Sequence, residues 1–376
     1  MRVTLVNGVK NLIRTKKRLL WLCGGVVVWL LIVFLTQKPY LHQNVAVVEN
    51  ASVIKRQTVQ SEYHNQDVLV TQKLQLSLLT GKLRRHQCTI KNKYYQSQAT
   101  SVCYHTHDLV ILSNTHKLQN LTLISPKRDT ILLILLGIVF GCLLGLFKEH
   151  GARAWLSAGL NCLLFILLLQ LATKCHNQHI LFLVIIFTWL ATPLTLTFIF
   201  GYSRQTLIAS VATLISTFLA VGLSTVVLIT TQSQGIHYET LDYGIQPFQT
   251  IFLAETLLGV LGACMDETTD ITAAVYQLLK EQPQITYKQL LNSGMNVGRE
   301  IIGPLINILF YLFLAELLPI IVLYLRNGNT LQFALSRTMT LGYTQTVISA
   351  LGIVLAVPLT AFLAAYWLRG EQKCGI

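Results

Sequence analysis

The chain is dominated by apolar runs long enough to cross a bilayer, about 20 residues at roughly 1.5 Å rise each. They fall at residues 19–36, 130–147, 155–173, 180–200, 205–230, 250–275, 301–325 and 341–368. In hydrocarbon every backbone polar group must find its partner inside the protein, so runs of this kind become helices. The expected fold class is therefore an α-helical integral membrane bundle of about eight transmembrane helices. Composition agrees, with hydrophobic residues at 53% and charged residues at 12%, about half the charged share of a soluble domain.

A net charge of +13 would suit nucleic acid, but the basic residues are spread over the ends of apolar segments and form no nucleic-acid-binding module. They act as topology signals instead. Arg2, Lys10, Arg14, Lys16, Lys17 and Arg18 precede the first run, which makes residues 1–18 a cytoplasmic N-terminus. Lys148, Arg153, Arg204, Lys280, Lys288 and Arg299 then fall on the same side, with Arg369 and Lys373 in a cytoplasmic tail at 369–376, while 231–249 on the other side has neither Lys nor Arg. Arg326 and Arg337 run against this trend. The run at 19–36 is longer than a signal-peptide core and lacks a small-x-small cleavage site, so it is expected to remain as an anchor. The chain is thus expected in the cell membrane with both termini cytoplasmic.

Residues 40–125 differ in kind, being polar and alternating at 67–70 and 73–78, with a turn at Thr80-Gly81 and further strand-like runs at 88–91 and 108–112. Period-2 alternation predicts strands, so a small β-rich extracytoplasmic domain is expected after the first helix. Cys88 and Cys103 both lie in it, where an oxidising compartment permits a disulfide without requiring one. Cys23, Cys142, Cys162 and Cys264 lie in apolar runs and read as small buried hydrophobes.

The residues with most chemical content lie between Glu255 and Glu316. Glu255, Gly259, Gly262, Asp266 and Asp270 recur at helical spacing and share one face, which the combination of carboxylates and glycines predicts to be turned into the bundle. Asp266 lies about 16 Å along the helix from Glu255; Asp270 falls near the cytoplasmic mouth as a further candidate for an ion or proton pathway, while its neighbour Glu267 reads as solvated at the interface. The next span opens with Gly294, Asn296, Gly298, Arg299, Gly303 and Pro304, a composition that predicts broken or closely packed backbone. Arg299 is the expected partner of Asp266 or Asp270. Asn307 and Glu316 follow, giving an inner polar level of Asp266, Asp270, Asn296 and Arg299 and an outer one of Glu255 and Glu316.

The ordered segments Leu261-Gly262-Ala263-Cys264-Met265-Asp266, Ser293-Gly294-Met295-Asn296-Val297-Gly298-Arg299 and Val357-Pro358-Leu359-Thr360-Ala361 resemble the YibE/F-like family of bacterial membrane proteins. The resemblance covers about 129–364 and implies a seven-helix membrane domain at 129–368, preceded by an anchor and an outside domain as in the longer members. It implies no biochemical activity.

No His-Glu-x-x-His, Walker A or dinucleotide-binding glycine motif occurs, so neither a metalloenzyme nor direct coupling to ATP is expected. No cofactor, metal or nucleic-acid partner is expected either. Each carboxylate placed in a span costs roughly 2.5–3.5 kcal/mol on insertion scales, which a pure scaffold has little reason to bear. The expected function is therefore that of an ion- or proton-linked transporter or channel component, acting on an unidentified ion or small solute. A scaffold or regulator docking a partner through the outside domain is the alternative. Besides the lipid bilayer, a companion membrane protein or a second copy is the expected partner.

Overall fold

The computed structural model describes residues 44–60, 66–80, 86–98, 101–113, 121–174, 179–238 and 248–370. The basic N-terminal stretch, the expected anchor at 19–36 and the tail beyond 370 lie outside the described residues. The chain divides into two units, residues 1–151 and 152–376.

In the first unit, β1 (Asn44–Gln60), β2 (Gln66–Leu78), β3 (Gln87–Tyr95), β4 (Leu109–Leu112) and β5 (Leu123–Pro126) form one antiparallel sheet of order β3-β2-β1-β4-β5. The alternation read from the sequence is realised in β2, where Val70, Gln72, Leu74, Leu76 and Leu78 all face inward and are buried. Ala46, Val48, Tyr104, Val110, Leu112 and Leu121 close the core, each large apolar side chain contributing about 1.5–3 kcal/mol of burial. Gln72 ties the core to the segment that covers it: its Nε2 donates to the Tyr104 carbonyl at 3.0 Å, and its Oε1 accepts from Asn92 Nδ2 at 2.9 Å and from the Tyr104 amide at 3.2 Å.

β1 and β5 were not expected from the sequence. β1 carries two register shifts against β2, between Val48 and Asn50 and between Val53 and Lys55, and each such shift breaks the period-2 pattern. Its first residues are buried and its last ones exposed, Val53, Ile54 and Val59 among them. On the outer face the register brings Lys55, Lys73, Lys91 and Lys93 together, with Lys73 directly opposite Lys91. Cys88 and Cys103 are both free thiols. Cys88 packs against the core, where burial pushes its thiol up, while the Cys103 thiol interacts with the Tyr94 hydroxyl.

Seven α-helices follow: α1 (Asp129–Phe147), α2 (Glu149–Lys174), α3 (Ile180–Phe200), α4 (Arg204–Thr230), α5 (Phe248–Glu281), α6 (Tyr287–Arg326) and α7 (Leu331–Gly370). Six, α2 to α7, contain stretches long and apolar enough to cross a membrane, and Ile131–Phe147 of α1 is a shorter apolar helix. The expected count of eight is therefore not matched among the described residues. The last three helices also run well past their expected limits. At 40 residues each, α6 and α7 extend about 60 Å, roughly twice the hydrocarbon thickness. The first turn of α6 is set by a capping box, in which Thr286 accepts from the Gln289 amide and the Gln289 side chain accepts from the Thr286 amide.

In the second unit, α4, α5 and α7 pack against one another, α6 packs on α7 and α5, and α3 lies against α4 and α5. Glycines set the closest approaches. A Cβ on Gly352 of α7 would stand 2.7 Å from Val260 and 3.0 Å from the Cys264 sulfur of α5, and one on Gly298 of α6 would stand 2.4 Å from Val357 Cγ1 of α7. Gly294 faces Ala361 and Gly342 faces Phe313 in the same way. Gly328, at φ 78°, turns the chain between α6 and α7, a conformation that costs glycine little.

The candidate functional site in the helical bundle

α5 changes character along its length, from an apolar first half to the acidic run Asp266-Glu267-Thr268-Thr269-Asp270. Its buried face is made by Val260, Cys264, Glu267, Thr268, Ile271, Thr272 and Val275, a helical repeat of apolar and hydroxyl groups that includes one carboxylate. The face expected to point inward lies largely outward: Glu255, Gly262, Asp266 and Asp270 are exposed, while Gly259 stands close to Gln345 and Ser349 of α7.

Glu267, read from the sequence as interfacial, is fully buried. It has 0% exposure, and neither carboxyl oxygen has a hydrogen-bond partner. One turn before it, Cys264 belongs to a cluster with Ala220 of α4 and Ile348 and Ala356 of α7; one turn after it, Ile271 packs with Ile208 of α4 and Val357 of α7. Beside it, Thr268 Oγ1 lies 2.6 Å from Thr213 Oγ1 of α4.

α4 supplies the polar side of this core. Thr206, Ser210, Thr213, Ser216, Thr217 and Ser224 are all buried, and four of them return their hydroxyl protons to the preceding turn: Ser210 to the Thr206 carbonyl, Thr213 to Ala209, Ser216 to Ala212 and Ser224 to Ala220, at 2.7–2.8 Å. Such back-bonding keeps a hydroxyl satisfied in an apolar bundle while leaving its oxygen lone pairs free. Thr217 has no such bond, and its hydroxyl meets only the Cys264 thiol.

The two polar levels expected from the sequence fare differently. Glu255 and Glu316 come within electrostatic reach of each other. The inner level divides. Asp266 and Asp270 are neighbours on the exposed face of α5, whereas Asn296 and Arg299 line a groove of about 790 Å³ with Asn292 of α6, Pro358 and Phe362 of α7 and Leu219 of α4. Among the described residues Arg299 forms no ion pair with Asp266 or Asp270.

The glycine-rich start of α6 is unbroken helix, so Gly294 and Gly298 serve close packing. Gly303 has open space around it and Pro304 is exposed; Asn307 Nδ2 donates to the Gly303 carbonyl at 3.0 Å. Thr213, Thr268 and Gly352 were not singled out from the sequence, and Glu267 was read there as interfacial. The usable signal was the apolar and hydroxyl repeat of α5, which passes through Glu267.

Six apolar span-length helices, a hydroxyl-lined helical core and a separate antiparallel sheet define a multi-pass membrane protein with a β domain. The chain belongs to the YibE/F-like family: residues 135–370 match the family described as YibE/F-like protein, and residues 38–125 match the YibE/F family N-terminal domain. No curated protein and no solved structure matches it.

Proposed function

We propose that this protein is a transport component that moves an ion or small solute across the cell membrane along the polar seam between α4 and α5. The supporting observation is the row of buried hydroxyls on α4, which meets α5 through the 2.6 Å contact of Thr213 with Thr268, the residue next to the buried Glu267. Small apolar residues alone would let these helices approach closely. Hydroxyl oxygens lined up beside a carboxyl group instead offer successive polar partners to a species leaving water. The Glu255 and Glu316 pair supplies a second acidic position on α5 and α6.

The proposal includes cytoplasmic termini and an outside sheet, an orientation favoured by the basic residues flanking the spans. Purified protein in liposomes, loaded with pH- or ion-sensitive dye and exposed to proton, sodium and divalent-ion gradients, tests it. A dye response above that of empty vesicles is expected. Vesicles indistinguishable from empty ones under all three gradients would remove transport by this chain alone.

A second reading, docking of a partner by the sheet, is favoured by the outer face with Lys55, Lys73, Lys91 and Lys93 in register. Like charges directly opposite one another destabilise a sheet, so this face has a cost that an acidic partner would offset. Absence of flux together with loss of partner binding on changing Lys73 and Lys91 to Gln would favour it.

A further inference from the structure

The carboxyl group of Glu267 has no exposure and no hydrogen-bond partner, and it is enclosed on both sides along α5. Toward the start of the helix stand Val260 and Cys264, pressed against Gly352 of α7 and Ala220 of α4. Toward the end stands Ile271, packed with Ile208 of α4 and Val357 of α7. An ionised carboxylate with neither counter-charge nor donor is too costly for such a layer, and the group neutralises instead.

The charged and titratable groups around it supply no counter-charge. On α5 itself the neighbours are Cys264, Asp266 and Asp270, and Asp270 contributes a like charge. α4 has no titratable residue after Arg204, and α7 has none between Tyr343 and Tyr366. α6 faces this core through Gly294 and Gly298, while its Arg299 lines the groove with Asn296.

A bound metal cation fits poorly. Hard cations take six or more oxygen ligands, and among the described residues no group of three His, Cys, Asp or Glu side chains could hold a metal. A proton needs only the carboxyl oxygen itself.

We propose that Glu267 is a proton-binding site of the bundle, filled in this closed arrangement and emptied when α4, α5 and α7 part enough for water to reach the carboxyl. This rests on the transport reading for its use, since it names the proton as the species exchanged within the seam, but not for its occupancy.

Infrared spectroscopy of the full-length protein in vesicles at neutral pH reads the occupancy directly, because the C=O stretch of a neutral carboxylic acid stands apart from the amide band. The wild type is expected to show a neutral-acid band that is lost in Glu267→Gln, unchanged by added sodium. Glu267→Asp serves if the glutamine variant does not fold, and is expected to retain the band at a shifted frequency. No difference between wild type and Glu267→Gln, or between wild type and Glu267→Asp where that variant is used, would overturn the proposal, as would a band abolished by sodium. Dye-detected flux measured on the same vesicles separates the two ideas. Flux without the band removes the proton site and leaves transport standing, whereas the band without flux does the reverse.

Discussion

Replacing Gly298 with Ala tests whether α6 is seated on α7 by the absence of a side chain. The added Cβ would stand 2.4 Å and 2.7 Å from the two Cγ atoms of Val357 and 3.1 Å from Ile271 Cδ1, where carbon atoms ordinarily sit about 3.5–4.0 Å apart. Val357 is 2% exposed and, being β-branched in a helix, has essentially one rotamer to offer. Overpacking of this kind costs about 1–3 kcal/mol. The better helix propensity of Ala returns about 1 kcal/mol, leaving a net change between about zero and a loss of about 2 kcal/mol. With Val357→Ala in place both clashing atoms are gone, and Gly298→Ala should become neutral or stabilising by up to about 1 kcal/mol. The coupling energy of the double-mutant cycle is then about 1–3 kcal/mol, within the range for residues in contact. Unfolding of the four proteins in mixed detergent micelles, followed by circular dichroism, measures it. If the effect of Gly298→Ala is the same whether residue 357 is Val or Ala, so that the coupling energy is zero, the packing account of this glycine is refuted.

Two further outcomes concern the sheet. Gln72→Leu leaves the buried Tyr104 amide and carbonyl without their partner, a loss of about 1–3 kcal/mol, so the thermal midpoint of the β signal should fall by about 5–15 °C; an unchanged midpoint would contradict the role given to Gln72. Asp67 accepts from the Ser97 hydroxyl at 2.6 Å, from the Val68 amide at 2.7 Å and from the Ser97 amide at 3.3 Å, and the Ser97 hydroxyl leads in holding its carboxyl below the ordinary value of 3.8. A carboxyl with a depressed folded value stabilises above the unfolded value and loses that contribution as pH falls through the folded one. Acid titration of the thermal midpoint should therefore be flatter below pH 3.8 in Asp67→Asn than in wild type, and identical profiles would count against it.

What could be read from the sequence follows which physical pattern was unbroken. Apolar runs marked α2 to α7 because length in hydrocarbon leaves no other solution, and β2 was legible because Leu74, Leu76 and Leu78 alternate with the polar Lys73, Gln75 and Ser77. β1 was hidden by its two register shifts, after which the same strand turns its apolar residues outward. On α5, carboxylates and glycines at helical spacing drew attention to the face of Glu255, Asp266 and Asp270, yet burial followed the commoner rule that apolar and hydroxyl residues pack, carrying Glu267 inside with them. The reach of α5 to α7 beyond the expected spans was likewise illegible, because tertiary packing at Gly294 and Gly298 keeps polar sequence helical where no periodic apolar run announces it.

The glycine contacts between α6 and α7 also keep step. The interval from Gly298 to Phe313 on one helix equals that from Gly342 to Val357 on the other, and the interval from Gly294 to Gly298 equals that from Val357 to Ala361. Losing or gaining a single residue between two such contacts would turn the remaining ones about 100° around the helix axis and set a side chain against every notch. The two helices can therefore change length between these points only together, by matching steps on both, while the turn around Gly328 remains free to vary. Lineages that lengthen or shorten this hairpin should show paired insertions or deletions on its two arms.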